Sequence, residues 1–212
     1  MAMKPIGVVV NPNANRGKGR QSGEQVFAEL AKRGIAAINL SGPDAASASE
    51  KGQLAISEQE LSGVIAVGGD GTAQLAVNLC VPNQIPMGLI PAGSGNDQAR
   101  ELGVPRDSIS SAVEHLVDHL DSPRRVDVMR VKTSSREFWS LGSISAGFDA
   151  LCAQRANGLK WPKGPNSYVA AMLLELPRFE PIEYQIFLNQ FFGRLNKCVH
   201  YIQSKSQVLQ LI

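Results

Sequence analysis

The sequence predicts an α/β protein: a Rossmann-like N-terminal domain with a parallel sheet, followed by an incomplete β-rich C-terminal domain. Three observations predict the architecture. Short apolar runs alternate with stretches of helical spacing from Ile6 to about Leu120. Two of those runs end in glycine-rich turns, Gly68-Gly69-Asp70-Gly71-Thr72 and Pro91-Ala92-Gly93-Ser94-Gly95-Asn96-Asp97. After Ser122-Pro123 the spacing changes to the alternation of exposed strands. Strands alternating with helices imply right-handed crossovers and a parallel sheet covered on both faces. In such sheets ligands sit at the carboxyl ends of the strands.

Taken in order, Ile6 to Val10 is a compact apolar run that stops at Asn11-Pro12. Gln21 to Arg33 has helical spacing through Val26 and Leu30, and Gly34 closes it. Ala36 to Leu40 is a second short strand, and Ser47 with Glu50 three residues on has the form of a capping box opening the next helix. Val64 to Val67 leads through the first glycine turn into a helix near Ala73 to Leu79, and Met87 to Ile90 leads through the second into a helix near Asn96 to Leu102. A last helix, with Ser111 and Glu114 at its head, runs to about Leu120.

The domain boundary is expected near residue 124, giving an α/β domain over 1–123 and a partial β-rich domain over 124–212. In the second, Val126 to Lys132 alternates, Thr133 to Arg136 is a polar turn, and Phe138 to Ser145 reads as a returning strand. Helices are expected at Phe148 to Asn157 and Ser167 to Leu176, and a strand at Ile182 to Leu188. Apolar helices are usually core, so Ser167 to Leu176 reads first as core and second as the border of an acyl-chain cleft or a bilayer contact.

Composition excludes several function classes. At 212 residues, 43% hydrophobic and 19% charged, the chain is long enough for one large domain or two small ones. A net charge of +2, with Lys and Arg spread along the chain, gives no nucleic-acid signal. Cys80, Cys152 and Cys198 are odd in number and form no CxxC pair, so neither a disulfide framework nor a cysteine zinc site is indicated, and a reducing cytoplasm is the simplest home. Neither a signal peptide nor a membrane span is expected, which leaves peripheral contact with the inner face of a membrane.

Three strand ends carry candidate chemistry. The loop from Asn11 to Gly19 has two glycines and, with Arg20, three cations; it either clamps phosphate oxygens or is a plain solvated loop. It does not fit the P-loop pattern, since Pro12 takes the first glycine position. In the turn at 68–72, glycines allow close approach of a ligand, and successive amides with the following helix start form an anion cradle. Asp70 there is suited to Mg²⁺ and Thr72 to capping the helix or binding a phosphate. The turn at 91–97 fails as a dinucleotide fingerprint because Gln98 replaces the third glycine. Two such turns on successive parallel strands face one crevice, with Asp70 and Asp97 both available to a metal.

Gly68 to Thr72, followed by Ile90-Pro91-Ala92-Gly93-Ser94-Gly95-Asn96-Asp97-Gln98-Ala99-Arg100, resembles the diacylglycerol kinase catalytic-domain family, which includes soluble bacterial lipid kinases and sphingosine kinases. The Asn11-Pro12 loop is similar to its first motif, and Val126-Asp127-Val128 with Gly147-Phe148-Asp149-Ala150 to the start of its second domain. The resemblance implies a kinase that takes ATP with Mg²⁺ and passes the γ-phosphate to a lipid hydroxyl, as of diacylglycerol or a sphingoid base, at a membrane surface. Carried over by position, the nucleotide would meet Asn11, Ser41, Gly68, Gly69, Asp70, Gly71, Thr72, Ala73, Gln74, Gly93, Ser94, Gly95 and Asn96. Asp70 and Asp97 would organise Mg²⁺, and Asp149 would either meet the lipid headgroup or cap the next helix. A homodimer is one option among the partners.

Departures from the family are Asn15 for a glycine, Gln98 for an apolar residue, and length. The resemblance implies a longer second domain whose late Asp-Gly motif supplies the general base, so the catalytic residue is expected outside this chain, and the tail from about Phe191 does not resemble the family. A catalytically silent ATP-binding fragment or paralogue is the alternative, and an NAD- or sugar-kinase-like enzyme, which shares the GGDG turn, is another. His115 and His119, four apart without a third ligand, read as a solvated helix face rather than a zinc site.

Overall fold

The computed structural model describes residues 4–58, 61–162, 165–181, 187–188, 191–192 and 206–212. In chain order they form β1 (Ile6–Val10), α1 (Ala14–Gly17), α2 (Gly19–Lys32), β2 (Ala37–Asn39), α3 (Ala45–Glu58), β3 (Gly63–Gly68), α4 (Asp70–Asn83), β4 (Met87–Pro91), α5 (Asp97–Glu101), α6 (Ile109–Asp118) and β5 (Arg124–Lys132). There follow β6 (Glu137–Ser140), α7 (Phe148–Gly158), α8 (Pro165–Glu175), β7 (Phe187–Leu188), β8 (Phe191–Phe192) and β9 (Ser206–Leu211).

The expected parallel sheet is present. β2, β1, β3 and β4 lie side by side and all run parallel. Side chains alternate between its faces, as the pleat requires. Ile6, Val8, Ile65 and Val67 pack with Val26 and Leu30 of α2 and Val113 and Leu116 of α6. Val9, Val64 and Ala66 join the opposite cluster with Ala76, Val77 and Leu79 of α4 and Ala48 of α3. Burying a Val, Leu or Ile side chain contributes about 1.5–3 kcal/mol, so these two layers fix the register that places both glycine turns at one sheet edge.

Two helix starts differ from expectation for one reason. The Asp44 carboxylate accepts the Ser47 N–H at 2.8 Å, so α3 starts at Ala45 and Ser47 lies inside its first turn rather than capping it. Ser108 Oγ accepts the Ser111 N–H at 3.0 Å, so α6 starts at Ile109. In each cluster of cap-forming residues the earlier one wins, because an added helical turn contributes further backbone hydrogen bonds.

A larger difference is β9. It belongs to the tail for which the sequence suggests no element, and it lies between β4 and β5, in the order β2-β1-β3-β4-β9-β5-β6. It runs parallel to β4, with Met87 beside Leu211, and antiparallel to β5 from Arg124↔Leu211 to Met129↔Ser206. Leu209, Leu211 and Ile212 are buried by this pairing.

The chain divides into two compact units. One comprises Met1–Met129, Trp139–Leu141 and Ser206–Ile212, and the other Arg130–Phe138 and Gly142–Lys205. The strand that begins at Arg124 therefore starts within the first unit, and the chain crosses between units more than once instead of at a single cut near 124. Within the second unit, Thr133 N–H donates to Arg136 O at 2.8 Å to form the expected turn, and the returning strand ends at Ser140 instead of Ser145. An Arg155–Glu175 ion pair links α7 to α8, and Phe148 meets Phe179 edge-on at 5.1 Å. Of the strand expected at 182–188, residues 182–186 lie outside the described residues, and Phe187–Leu188 pairs antiparallel with Phe191–Phe192.

Core is not what α8 becomes. Ala171 is buried, but Val169, Met172, Leu173 and Leu174 are exposed, as is Leu176 beyond the helix, with Leu173 at 63%.

Glu29 of α2 is a buried carboxylate that receives Lys32 Nζ at 2.8 Å and Arg33 Nη1 at 2.5 Å, with Ser110 Oγ of α6 donating at 3.4 Å. Hydrogen bonds from Lys32 and then Arg33 hold its pKa at about 2, against an ordinary 4.5. A folded-state pKa below the unfolded one contributes stability that is complete above the unfolded value and is lost as pH falls. The melting temperature is thus expected to drop between pH 4.5 and pH 2, and Glu29→Gln to lose the part of that drop that Glu29 contributes. Thermal melts across this window check it; an unchanged acid profile in the variant would refute it.

Candidate active site

β3 delivers Gly68 and Gly69 directly to the start of α4. The first turn is tighter than three glycines in a loop: Asp70, Gly71 and Thr72 are already helical, and Gly69 is the N-cap in extended conformation. No side chain caps α4, so its positive end is left to whatever occupies the crevice. A Cβ on Gly68 would lie 2.2 Å from Thr72 Oγ1, which requires glycine there for internal reasons. Gly71 is different, since a Cβ there would meet nothing within 4 Å. With no packing demand on Gly71, close approach of a ligand is the remaining reason for its bareness.

The second turn is locked onto the first. Ala92 N–H donates to Gly68 O at 2.9 Å, continuing the β3–β4 ladder past the strand ends. Asn96, in the left-handed conformation at φ 56°, closes the turn on itself: its Oδ1 accepts from Gly93 N and its Nδ2 donates to Gly93 O, both at 2.9 Å. A Cβ on Gly93 would stand 2.4 Å from Gly69 Cα, backbone against backbone. The carboxylate of Asp70 then reaches across, accepting Gln98 N–H at 3.0 Å and Asp97 N–H at 3.4 Å. It caps α5 from another element.

Asp97 pairs with Arg100 at 2.8 Å and stays exposed. Its Oδ2 and that of Asp70 flank Gly95, at 3.8 and 3.4 Å from a methyl placed there. No group of three or more acidic, His or Cys side chains suited to a metal occurs among the described residues. Two carboxylates at an anion-binding turn fit Mg²⁺ carried with phosphates, which takes one or two protein carboxylates and completes its octahedron with phosphate oxygens and water.

Beside the first turn lies a cavity of ≈ 450 Å³, lined in part by Asn11, Asp44, Gly71, Thr72 and Leu75. Asn11 is exposed there, with its Oδ1 accepting Asn13 N–H at 3.0 Å. Ser41 Oγ accepts Val10 N–H at 2.9 Å, tying the ends of β1 and β2 together. Ser94 and Gly95 face solvent. Ala73 and Gln74 have internal roles instead: Ala73 is wholly buried in the core, and Gln74 Nε2 donates to Trp139 O while its Oε1 accepts Leu141 N–H at 3.5 Å. Asp149 belongs to the second unit, in the first turn of α7, where Tyr168 Oη donates to it.

Sequence reasoning missed Asn78 and the use of Gln98. Asn78 exchanges two hydrogen bonds with the Trp139 backbone, at 2.8 and 2.9 Å, and Gln98 Nε2 donates to Leu141 O at 2.9 Å. The available signal was the i, i+4 spacing of Gln74 and Asn78 on an otherwise apolar helix. His119 Nδ1 lies 2.7 Å from His115 O, which keeps the pair in its role as a helix face. Burial pushes the Cys80 and Cys152 thiols up, away from reactivity.

The diacylglycerol kinase catalytic domain matches residues 5–131, and the YegS C-terminal NAD kinase beta sandwich-like domain matches residues 142–199, past the point near 191 where resemblance was expected to stop. The diacylglycerol kinase of Mycobacterium tuberculosis (strain ATCC 25618 / H37Rv) is 33% identical over 186 residues, 87% of this chain and 59% of that protein. The diacylglycerol kinase of Bacillus subtilis (strain 168) is 28% identical over 199 residues, 91% of this chain and 61% of that one. A crystal structure of a diacylglycerol kinase from Bacillus anthracis str. Sterne superposes with a TM-score of 0.50 at 25% identity, over 65% of this chain and 46% of that one. The chain thus spans about 60% of the length of these curated relatives.

Proposed function

Because the chain belongs to the diacylglycerol kinase catalytic-domain family, we propose that it is the ATP- and Mg²⁺-binding part of a lipid kinase, passing the γ-phosphate to a lipid hydroxyl such as that of diacylglycerol or a sphingoid base. The interlocked turns carry this reading. An uncapped α4 start, a bare Gly71 and two carboxylates about Gly95 together suit a metal-bound triphosphate. When bound, Mg²⁺ supplies charge neutralisation to a transfer that depends mostly on positioning. Asp70 and Asp97 are the side chains to hold it, the amides at the head of α4 cradle phosphate oxygens, and Thr72 and Ser94 offer hydroxyls.

Access to a lipid is supported by the exposed apolar residues of α8, which suit an interfacial contact. No helix among the described residues is long and apolar enough to cross a membrane. The headgroup role of Asp149 rests on the likeness of Gly147-Phe148-Asp149-Ala150 to the family's second domain.

The test is transfer of label from ATP to diacylglycerol in mixed micelles with Mg²⁺, beside parallel reactions with NAD and a soluble sugar. Label in lipid, lost on chelation, is the expected result. Label in NAD or sugar instead would overturn the lipid reading, and ATP binding without any transfer would leave a silent nucleotide module. Gly71→Ala is expected to fold with a melting temperature no lower than that of the wild type, since alanine suits a helix better than glycine, and to weaken ATP binding, since the added methyl takes the space a phosphate would approach. Unchanged affinity in that variant would remove the turn from the site.

A further inference from the structure

The cavity beside the first glycine turn has a phosphate end and a far end. Gly71 and Thr72 mark the former, at the head of α4; the segment Gly42–Ala45 after β2 marks the latter. At ≈ 450 Å³ it is of a size that holds a nucleoside. Val9, Ala48 and Leu75 make its wall partly apolar, and among the described residues that line it Asp44 is the one ionisable side chain. A bare carboxylate repels phosphates, so at the end of the cavity away from the α4 head its free lone pairs suit a neutral donor of the ligand. In doubly wound sheets an acid after the second strand commonly bonds ribose hydroxyls.

We propose that Asp44 reads the ribose of the bound nucleotide, accepting from its vicinal hydroxyls, and thereby selects ribonucleotides over 2′-deoxyribonucleotides; this rests on the nucleotide reading of the site. Asp44 is preset for the task. One oxygen accepts Ser47 N–H at 2.8 Å, and its main-chain carbonyl accepts Ala48 N–H at 3.1 Å, which fixes the side chain at the head of α3. A carboxylate offers about four lone-pair sites, so capacity remains for a diol. Hydrogen bonds from the Ser47 amide and hydroxyl hold its carboxyl below the ordinary range, keeping it an acceptor.

Calorimetric titration with the Mg²⁺ complexes of ATP, 2′-deoxy-ATP and inosine triphosphate tests this on the wild type and on Asp44→Ser. Serine keeps the helix cap but retracts the acceptor. The wild type should bind ATP about tenfold more tightly than 2′-deoxy-ATP, the worth of one hydrogen bond to a charged group. In Asp44→Ser that ratio should fall to near one, with ATP losing more affinity than 2′-deoxy-ATP, which keeps only the 3′-hydroxyl to lose. A wild type indifferent to the 2′-hydroxyl, a ratio that survives the substitution, an equal loss for both nucleotides, or a change confined to ATP against inosine triphosphate would each overturn the assignment while leaving the nucleotide site intact. Failure of every nucleotide to bind would overturn the site itself.

Discussion

Gly93→Ala is expected to lower the unfolding free energy by about 3 kcal/mol, the upper end of the usual range for overpacking, and to abolish measurable ATP binding. The added methyl would meet Gly69 Cα at 2.4 Å, Gly69 N at 2.9 Å and Asn96 Oδ1 at 2.8 Å. Two of these atoms are backbone, and the third is committed to the hydrogen bond that closes the second turn. Nothing flexible is available to yield, so relief requires parting the turns and breaking the Ala92–Gly68 bond that extends the sheet. Urea denaturation at fixed temperature measures the loss, and a variant with the wild-type midpoint would show that the turns do not depend on this contact. The contrast with Gly71→Ala separates two uses of glycine in one site: one allows backbones to touch, the other leaves room for a ligand.

Asp70→Ala is expected to reduce phosphoryl transfer at least about a thousandfold, the combined consequence of losing a metal carboxylate and misplacing the second turn. Its carboxylate does two things in the structure. It terminates α5 by accepting the Asp97 and Gln98 amides, and it presents an oxygen beside Gly95. Removing it leaves two amides without an acceptor, which costs roughly 1–3 kcal/mol for each one kept from water. Asp97→Asn should separate the roles: its own carboxylate caps nothing across the turns, so stability stays near wild type while the Mg²⁺ dependence of the rate shifts to higher concentration. Rates measured across a Mg²⁺ titration, with melts of both variants, decide the matter. An Asp70→Ala protein that transfers phosphate at a wild-type rate would exclude this carboxylate from the chemistry.

The two glycine turns were legible where residue chemistry and backbone geometry coincide. Glycines beside an acid at a strand end have few other uses, and the positions of Gly68 to Thr72 and Gly93 to Asn96 follow from that. What could not be read was how polar side chains divide between ligand and protein. Gln74 was expected at the nucleotide and Gln98 stands where the family has an apolar residue, yet their amides grip the backbone of Trp139 and Leu141, a choice made by chain remote in sequence. The same limit hid Asp44 as the head of α3, because a cap is chosen by where the preceding strand lets the helix begin. Hydrophobic periodicity found α8 but not its exposure, since an apolar helix has the same sequence whether or not anything covers it. β9 escaped because its partners, β4 and β5, are known only once the sheet exists.

β9 also sets a timetable. The first unit cannot complete its sheet from its own early residues, since the lane between β4 and β5 is filled by residues 206–211. On the ribosome, the glycine turns at residues 68–72 and 93–97 are therefore made well before the strand that finishes their support, and the β4 edge stays unpaired while the second unit is synthesised. Pairings of such sequence separation slow folding, and an open strand edge in the interval is the exposure that chaperones guard against.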